Sequence, residues 1–66
     1  MKVSVNNNKM NFESSLYLEE LIAKLDLEAK NIAVEINKII IPRSEYKQCC
    51  IKENDQIEII NAVGGG

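Results

Sequence analysis

Apolar and polar residues alternate from Met1 to Asn6 and again from Lys9 to Glu13. Val3 and Val5, then Met10 and Phe12, point one way and polar residues the other, the period-two pattern of half-buried strands. Asn6-Asn7-Asn8 separates the two runs, and asparagine is the non-glycine residue best suited to the positive-φ positions of a tight turn, so a β-hairpin is expected to open the chain. After Ser14 and Ser15 the period changes. Leu18, Leu21, Ile22 and Leu25 fall at i, i+3, i+4 and i+7, an apolar stripe along one helix face. Ser15 is the expected N-cap, Glu19 and Glu20 suit the positive end of the helix dipole, and the helix should end near Asp26 to Lys30. Asn31 to Asn37 alternates again, with Ile32, Val34 and Ile36 on one face, which predicts a third strand. Ile39-Ile40-Ile41 stopped by Pro42 predicts a short strand, and Pro42 to Tyr46 fits one helical turn with proline at its first position. Glu53-Asn54-Asp55-Gln56 reads as a turn launching a last strand, Ile57 to Val63. There Ile57, Ile59 and Val63 face one way and Glu58, Ile60 and Ala62 the other, so both faces carry apolar groups, as in a central strand or one that docks onto something. One helix across one face of a mixed sheet of four to five strands, an α+β roll, is the expected architecture. The helix stripe should pack on Val3, Val5, Ile32, Val34, Ile57 and Ile59.

Size and charge narrow the function. A chain of 66 residues buries only roughly 60% of its unfolded surface and cannot also wall off a deep active-site cavity, so multi-step catalysis within it is not expected. With 8 Lys plus Arg against 10 Asp plus Glu, the net charge is -2 and no basic stripe is available to neutralise phosphates; nucleic acid is not the expected partner. No window approaches the ~18 to 20 apolar residues that span a bilayer, and a soluble cytoplasmic protein with no membrane partner is expected. Cys49 and Cys50 are adjacent, so a bridge between them would staple no useful loop; histidine is absent, which removes Cys-His dyads, and two neighbouring thiols with no further soft ligand do not make a zinc site, so no metal is expected. One thiol is expected to be buried as a small hydrophobe and the other to lie near the surface. A reactive redox or sulfur-relay pair stands as the sharper alternative, with only Lys47 and Lys52 nearby to favour thiolates.

All three glycines of the chain are its last three residues, Gly64-Gly65-Gly66. Without Cβ atoms they approach another backbone or a nucleotide closely, and extended they reach ~10 Å beyond the last strand. Such a tail is thin enough to enter a narrow slot and present the Gly66 carboxylate at its bottom. A carboxylate becomes open to sulfur nucleophiles once an attack on the α-phosphate of ATP turns it into an acyl-adenylate. The chain has no phosphate-cradling loop or metal cluster of its own, so ATP and Mg²⁺ must come with an activating partner and no cofactor is bound here. A glycine end that does no chemistry is the plain alternative.

Three segments resemble the ThiS family, the sulfur carriers of thiamine biosynthesis within the ubiquitin-like β-grasp superfamily. They are Glu20-Leu21-Ile22-Ala23-Lys24-Leu25, then Val34-Glu35-Ile36-Asn37-Lys38-Ile39-Ile40-Ile41-Pro42-Arg43 leading to Tyr46, and Asn54-Asp55-Gln56-Ile57-Glu58-Ile59 running to the terminal glycines. The similarity covers essentially the whole chain. Molybdopterin-pathway carriers and ubiquitin-like modifiers share the terminal glycines, whereas the asparagine-to-Pro-Arg segment is more specific, and molybdopterin carriers tend to be longer. Asn54 stands where the family often has glycine, and Tyr17 where it often has threonine, so Ser14 or Ser15 is expected to cap the helix instead.

The resemblance implies a carrier rather than an enzyme: a β-grasp domain over residues 1–63 and a flexible glycine tail over 64–66. A ubiquitin-activating-type (ThiF-like) enzyme would adenylate Gly66, a cysteine desulfurase would supply sulfur, and the resulting thiocarboxylate would donate it to a thiazole synthase (ThiG-like). Gly66 is then the sulfur-carrying terminus, with Gly64 and Gly65 as the arm that enters the partner's channel. Ile60, Ala62 and Glu58 are candidates for docking the activating enzyme, with Asp55 a further acidic candidate. A molybdopterin-type or other ubiquitin-like carrier, or a β-grasp interaction module without tail chemistry, remain the alternatives.

Overall fold

The computed structural model describes residues 1–61. Ala62, Val63 and the glycine tail Gly64 to Gly66 lie outside the described residues, and with them the end of the expected last strand.

The opening hairpin forms from β1 (Lys2–Val5) and β2 (Asn8–Asn11), antiparallel, with Val3 opposite Met10. Asn6 and Asn7 both have positive φ, 51° and 68°, the arrangement that matches the twist of the flanking strands. After a two-residue strand β3 (Leu16–Tyr17), helix α1 (Leu18–Lys24) presents Leu18, Leu21 and Ile22 to the core. A 3₁₀ turn (Ala29–Asn31) leads to β4 (Ile32–Ile36) and, through a second positive-φ turn at Asn37 and Lys38, to β5 (Ile39–Ile41). A further 3₁₀ turn (Arg43–Glu45), the two-residue β6 (Cys50–Ile51) and β7 (Gln56–Asn61) complete the described chain.

Five strands form one sheet in the order β2-β1-β7-β4-β5, with β1 and β7 parallel and the other pairs antiparallel. The expected α+β architecture, one helix against one face of a mixed sheet, is therefore present, and β7 is the central strand that its two apolar faces suggested. Val3, Val5, Ile32, Val34, Ile36 and Ile57 from the sheet meet Leu18, Leu21 and Ile22 from the helix. Leu25 and Ile59, expected in the core, are only partly buried against it. Leu16 and Ile51, register partners across β3 and β6, join the buried set, as does Tyr46 after the second 3₁₀ turn.

Several local expectations are corrected. Neither Ser14 nor Ser15 caps the helix; Leu16 is buried and Tyr17 is spent pairing with Cys50, so the chain cannot turn helical before Leu18, and Tyr17 is the N-cap. Its side chain makes no capping bond, and the Glu20 carboxylate instead accepts the Tyr17 N–H at 2.9 Å, satisfying one donor at the helix entry. The helix stops at Lys24 rather than near Asp26 to Lys30. Asp26 takes φ 60°, its N–H donates to the Ala23 carbonyl at 3.0 Å, and the Leu27 N–H donates to the Ile22 carbonyl at 3.1 Å, the paired closing bonds of a Schellman motif. Pro42 precedes the 3₁₀ turn as its N-cap instead of opening it. Asn54 does take glycine's conformation, with φ 68°.

Candidate functional site

The strand that leads to the glycines is fixed from both sides by side chains as well as by backbone. On one side the Asn6 side chain grips the main chain of Ile59, accepting its N–H at 2.8 Å and donating to its carbonyl at 3.2 Å, which prolongs the parallel pairing beyond the end of β1. On the other, the Asn37 side chain accepts the Gln56 N–H at 3.0 Å and donates to an Asp55 oxygen at 3.0 Å. The other Asp55 oxygen accepts the Lys52 N–H at 2.8 Å, closing the turn around Asn54. Asp55 is thus half-buried and engaged in holding the start of β7.

Glu58 and Ile60 stand where the alternation put them, on the sheet face away from α1. Both are exposed, Ile60 to 56%, so neither the sheet's curl nor the Pro42 to Tyr46 turn covers them within the described residues. Ala62, Gly64, Gly65 and Gly66 lie outside the described residues. The strand register adds three residues that the sequence did not single out. Ala33 sits opposite Ile60, Glu35 opposite Glu58, and Ile40 opposite Glu35. Ile40 is 71% exposed, more than any other large hydrophobic residue among those described. An unbroken run of three isoleucines has no polar partner to mark which one turns outward; the signal lies in the register, which makes Ile39 and Ile41 opposite the inward Ile36 and Val34 and leaves Ile40 to the outer face.

The two thiols differ, Cys50 being exposed as expected of one of them and Cys49 only half-buried against the core rather than fully buried. Burial pushes the Cys49 thiol above its ordinary value, the charges of Asp55, Cys50 and Glu45 add to this, and Lys52 opposes it. That environment disfavours a Cys49 thiolate and with it a reactive pair. Among the described residues no group of three or more His, Cys, Asp or Glu is placed to hold a metal ion, and no helix is long and apolar enough to cross a membrane. One cleft of about 500 Å³ on the helix side of the sheet is lined, among the described residues, by Val5, Met10, Leu25, Ile32 and Ile59 and by asparagines, none of them an acid, base or nucleophile.

Tyr46 is buried, and burial also raises its phenol above the ordinary 10.0, against the lowering effects of Arg43 and a hydrogen bond with the Val34 backbone. A group whose folded value is raised leaves stability intact below its unfolded value and costs stability as pH climbs from there toward the folded one. Cys49 from about 9.0 and Tyr46 from about 10.0 upward therefore predict an alkaline decline. Urea titrations between about pH 8 and 11 should show the midpoint falling across that range, and Tyr46→Phe should flatten the upper part of the fall. A midpoint equally pH-dependent in Tyr46→Phe would refute the assignment.

With this geometry in hand, known proteins provide a frame. The model of the ThiS family matches residues 3–66. Over 66 residues the chain is 36% identical to a thiazole synthase of Paramagnetospirillum magneticum, a match that takes in all of this chain and 20% of that protein. The chain thus spans about a fifth of the length of the thiazole synthases it matches. It is 29% identical to the sulfur carrier protein ThiS of Escherichia coli, covering 100% of both chains, and 41% identical over 49 residues to that of Bacillus subtilis, 74% of each. The crystal structure of the thiamine biosynthesis protein ThiS from Geobacter metallireducens superposes with a TM-score of 0.86 at 28% identity, over the whole of both chains.

Proposed function

The chain belongs to the ThiS family, and from that premise we propose that it is a sulfur carrier of thiamine biosynthesis whose Gly66 carboxylate is the group that bears the sulfur. The observation that carries this is the extent of the family match, which runs through the central strand and all three glycines to residue 66. The described body fits this reading, since what it offers is a braced central strand beside an exposed, partly apolar sheet face.

In this proposal an adenylating enzyme of the ThiF type binds ATP and Mg²⁺. The Gly66 carboxylate oxygen attacks the α-phosphate, pyrophosphate leaves, and an acyl-adenylate remains. The terminal sulfur of a persulfide supplied through a cysteine desulfurase displaces AMP, and a thiol cleaves the resulting sulfur-sulfur bond to leave the thiocarboxylate. Gly64 and Gly65 lie in the partner's channel, and Ile60, Glu58 and Ala62 face the activating enzyme. Thiazole synthase is the proposed acceptor, a choice supported by proteins of that name in which one stretch is similar to this chain throughout.

Intact mass spectrometry tests the proposal. After incubation with a ThiF-type enzyme, ATP, Mg²⁺, cysteine and a desulfurase, the chain should gain the mass of one sulfur less one oxygen, located in the C-terminal fragment. A chain that binds the enzyme and stays unmodified at saturating ATP would instead be an interaction module. The Cys49→Ser, Cys50→Ser double variant should be converted like the wild type; loss of conversion in a folded double variant would move the chemistry to the thiols.

A further inference from the structure

The outer face of β4, β5 and β7 places two exposed apolar side chains, Ile40 and Ile60, next to two carboxylates, Ile40 across from Glu35 and Ile60 two residues along β7 from Glu58. Glu35 and Glu58 are register partners on neighbouring strands, and Glu35 is at the same time the register partner of Ile40. Like charges directly opposite on one sheet face repel and destabilise the sheet. Neither carboxylate is ion-paired among the described residues, although Lys38 lines the same shallow depression as Glu58. The free chain therefore carries an unfavourable pair beside the exposed Ile40 and Ile60, where neutral residues would give a more stable sheet.

We infer that this face docks onto a basic site framed by apolar residues on the adenylating partner, a single guanidinium or ammonium group lying between Glu35 and Glu58 while apolar side chains cover Ile40 and Ile60. The inference rests on the carrier reading above and adds to it Glu35 and Ile40, the sign of the partner's charge and the reason the pair is kept. A cation shared by two acceptors removes their repulsion on binding, so an interaction that costs stability in the free chain favours the complex. Arginine suits the position best, because its planar fork can donate to two carboxylates at once. The patch lies on β7, the strand that runs toward the glycines, so a partner gripping it is positioned to receive the tail.

The signature is a pair of opposite effects from one substitution. Glu35→Gln and Glu58→Gln should each raise the melting temperature of the free chain by roughly 1 to 5 °C. Each should also raise the KM for the chain in adenylation by a ThiF-type enzyme by roughly 3- to 10-fold, with kcat nearly unchanged and a weaker dependence of KM on salt. Stabilised variants with wild-type KM would overturn the inference while leaving the carrier reading standing. A wild-type chain that is not adenylated at any enzyme concentration would instead sink the carrier reading. Sedimentation showing a wild-type dimer that both variants abolish would assign the face to a second copy of this chain and overturn the inference too.

Discussion

A Gly65→Val chain should fold with wild-type stability and yet be converted to the thiocarboxylate at least about 100-fold more slowly. The two halves of this expectation come from different parts of the molecule. Among the described residues the buried core ends at Ile57, and the effect of a change at position 65 on stability is expected to stay within about 0.5 kcal/mol. Valine, however, adds a branched side chain to an arm proposed to pass through a slot shaped for glycine. It also closes the positive-φ conformations that glycine alone adopts freely. A misplacement of the reacting carboxylate by about 1 Å is enough for a loss of this size. Thermal melts and a time course of intact mass would measure both halves. Gly65→Ala, with a single methyl group, should fall between. Conversion of the valine variant at the wild-type rate would refute the narrow channel, whatever the melts show.

Where each element's signal lay explains why some of the molecule was legible from its sequence and some was not. The asparagines of the first turn, the stripe of Leu18, Leu21 and Ile22, and the alternation of Ile32, Val34 and Ile36 each state their structure within a few residues, and each is found where expected. Asn54 was legible for the same reason, since so few residues accept its φ. What escaped was long-range. The two-residue strands β3 and β6 are too short to show a period, and Leu16 and Ile51 are strand residues only because they meet across the fold. The helix end was missed because aspartate, not glycine, takes the left-handed position at Asp26.

The candidate site divides along the same line. Glu58 and Ile60 were readable because β7 alternates, and their exposure follows from that parity. Glu35 and Ile40 needed the register, as Glu35 reads in sequence as one more polar residue of an alternating strand and Ile40 as the middle of an apolar run. Their significance is a property of pairs. The chemistry of Gly66, by contrast, is a matter of composition and family resemblance, and the body of the fold bears on it by bracing the strand that leads there through Asn6 and Asn37 and by the face proposed to hold the partner.

Leu21→Ala should leave the chain at the edge of folding. Leu21 is 0% exposed at the centre of α1 and belongs to the same buried cluster as Val3, Val34 and Ile57. Truncation to alanine removes the transfer energy of three carbons and leaves a cavity whose walls relax only in part, together about 2 to 5 kcal/mol. A single core in a domain this small supplies roughly 3 to 5 kcal/mol, so the loss is comparable to the whole. The helix has only seven residues, too few to persist without its packing, and its departure would uncover the sheet's inner face. Glu19→Ala, on the exposed side of the same helix, should cost no more than about 0.5 kcal/mol and controls for helix propensity. Urea titration followed by circular dichroism would show the difference. The Leu21 variant should be substantially unfolded before denaturant is added, and sulfur loading should fall in proportion to its folded fraction, since a tail without a docked body has nothing to hold it at the partner's site. A Leu21→Ala midpoint matching that of Glu19→Ala would mean that α1 does not anchor the core.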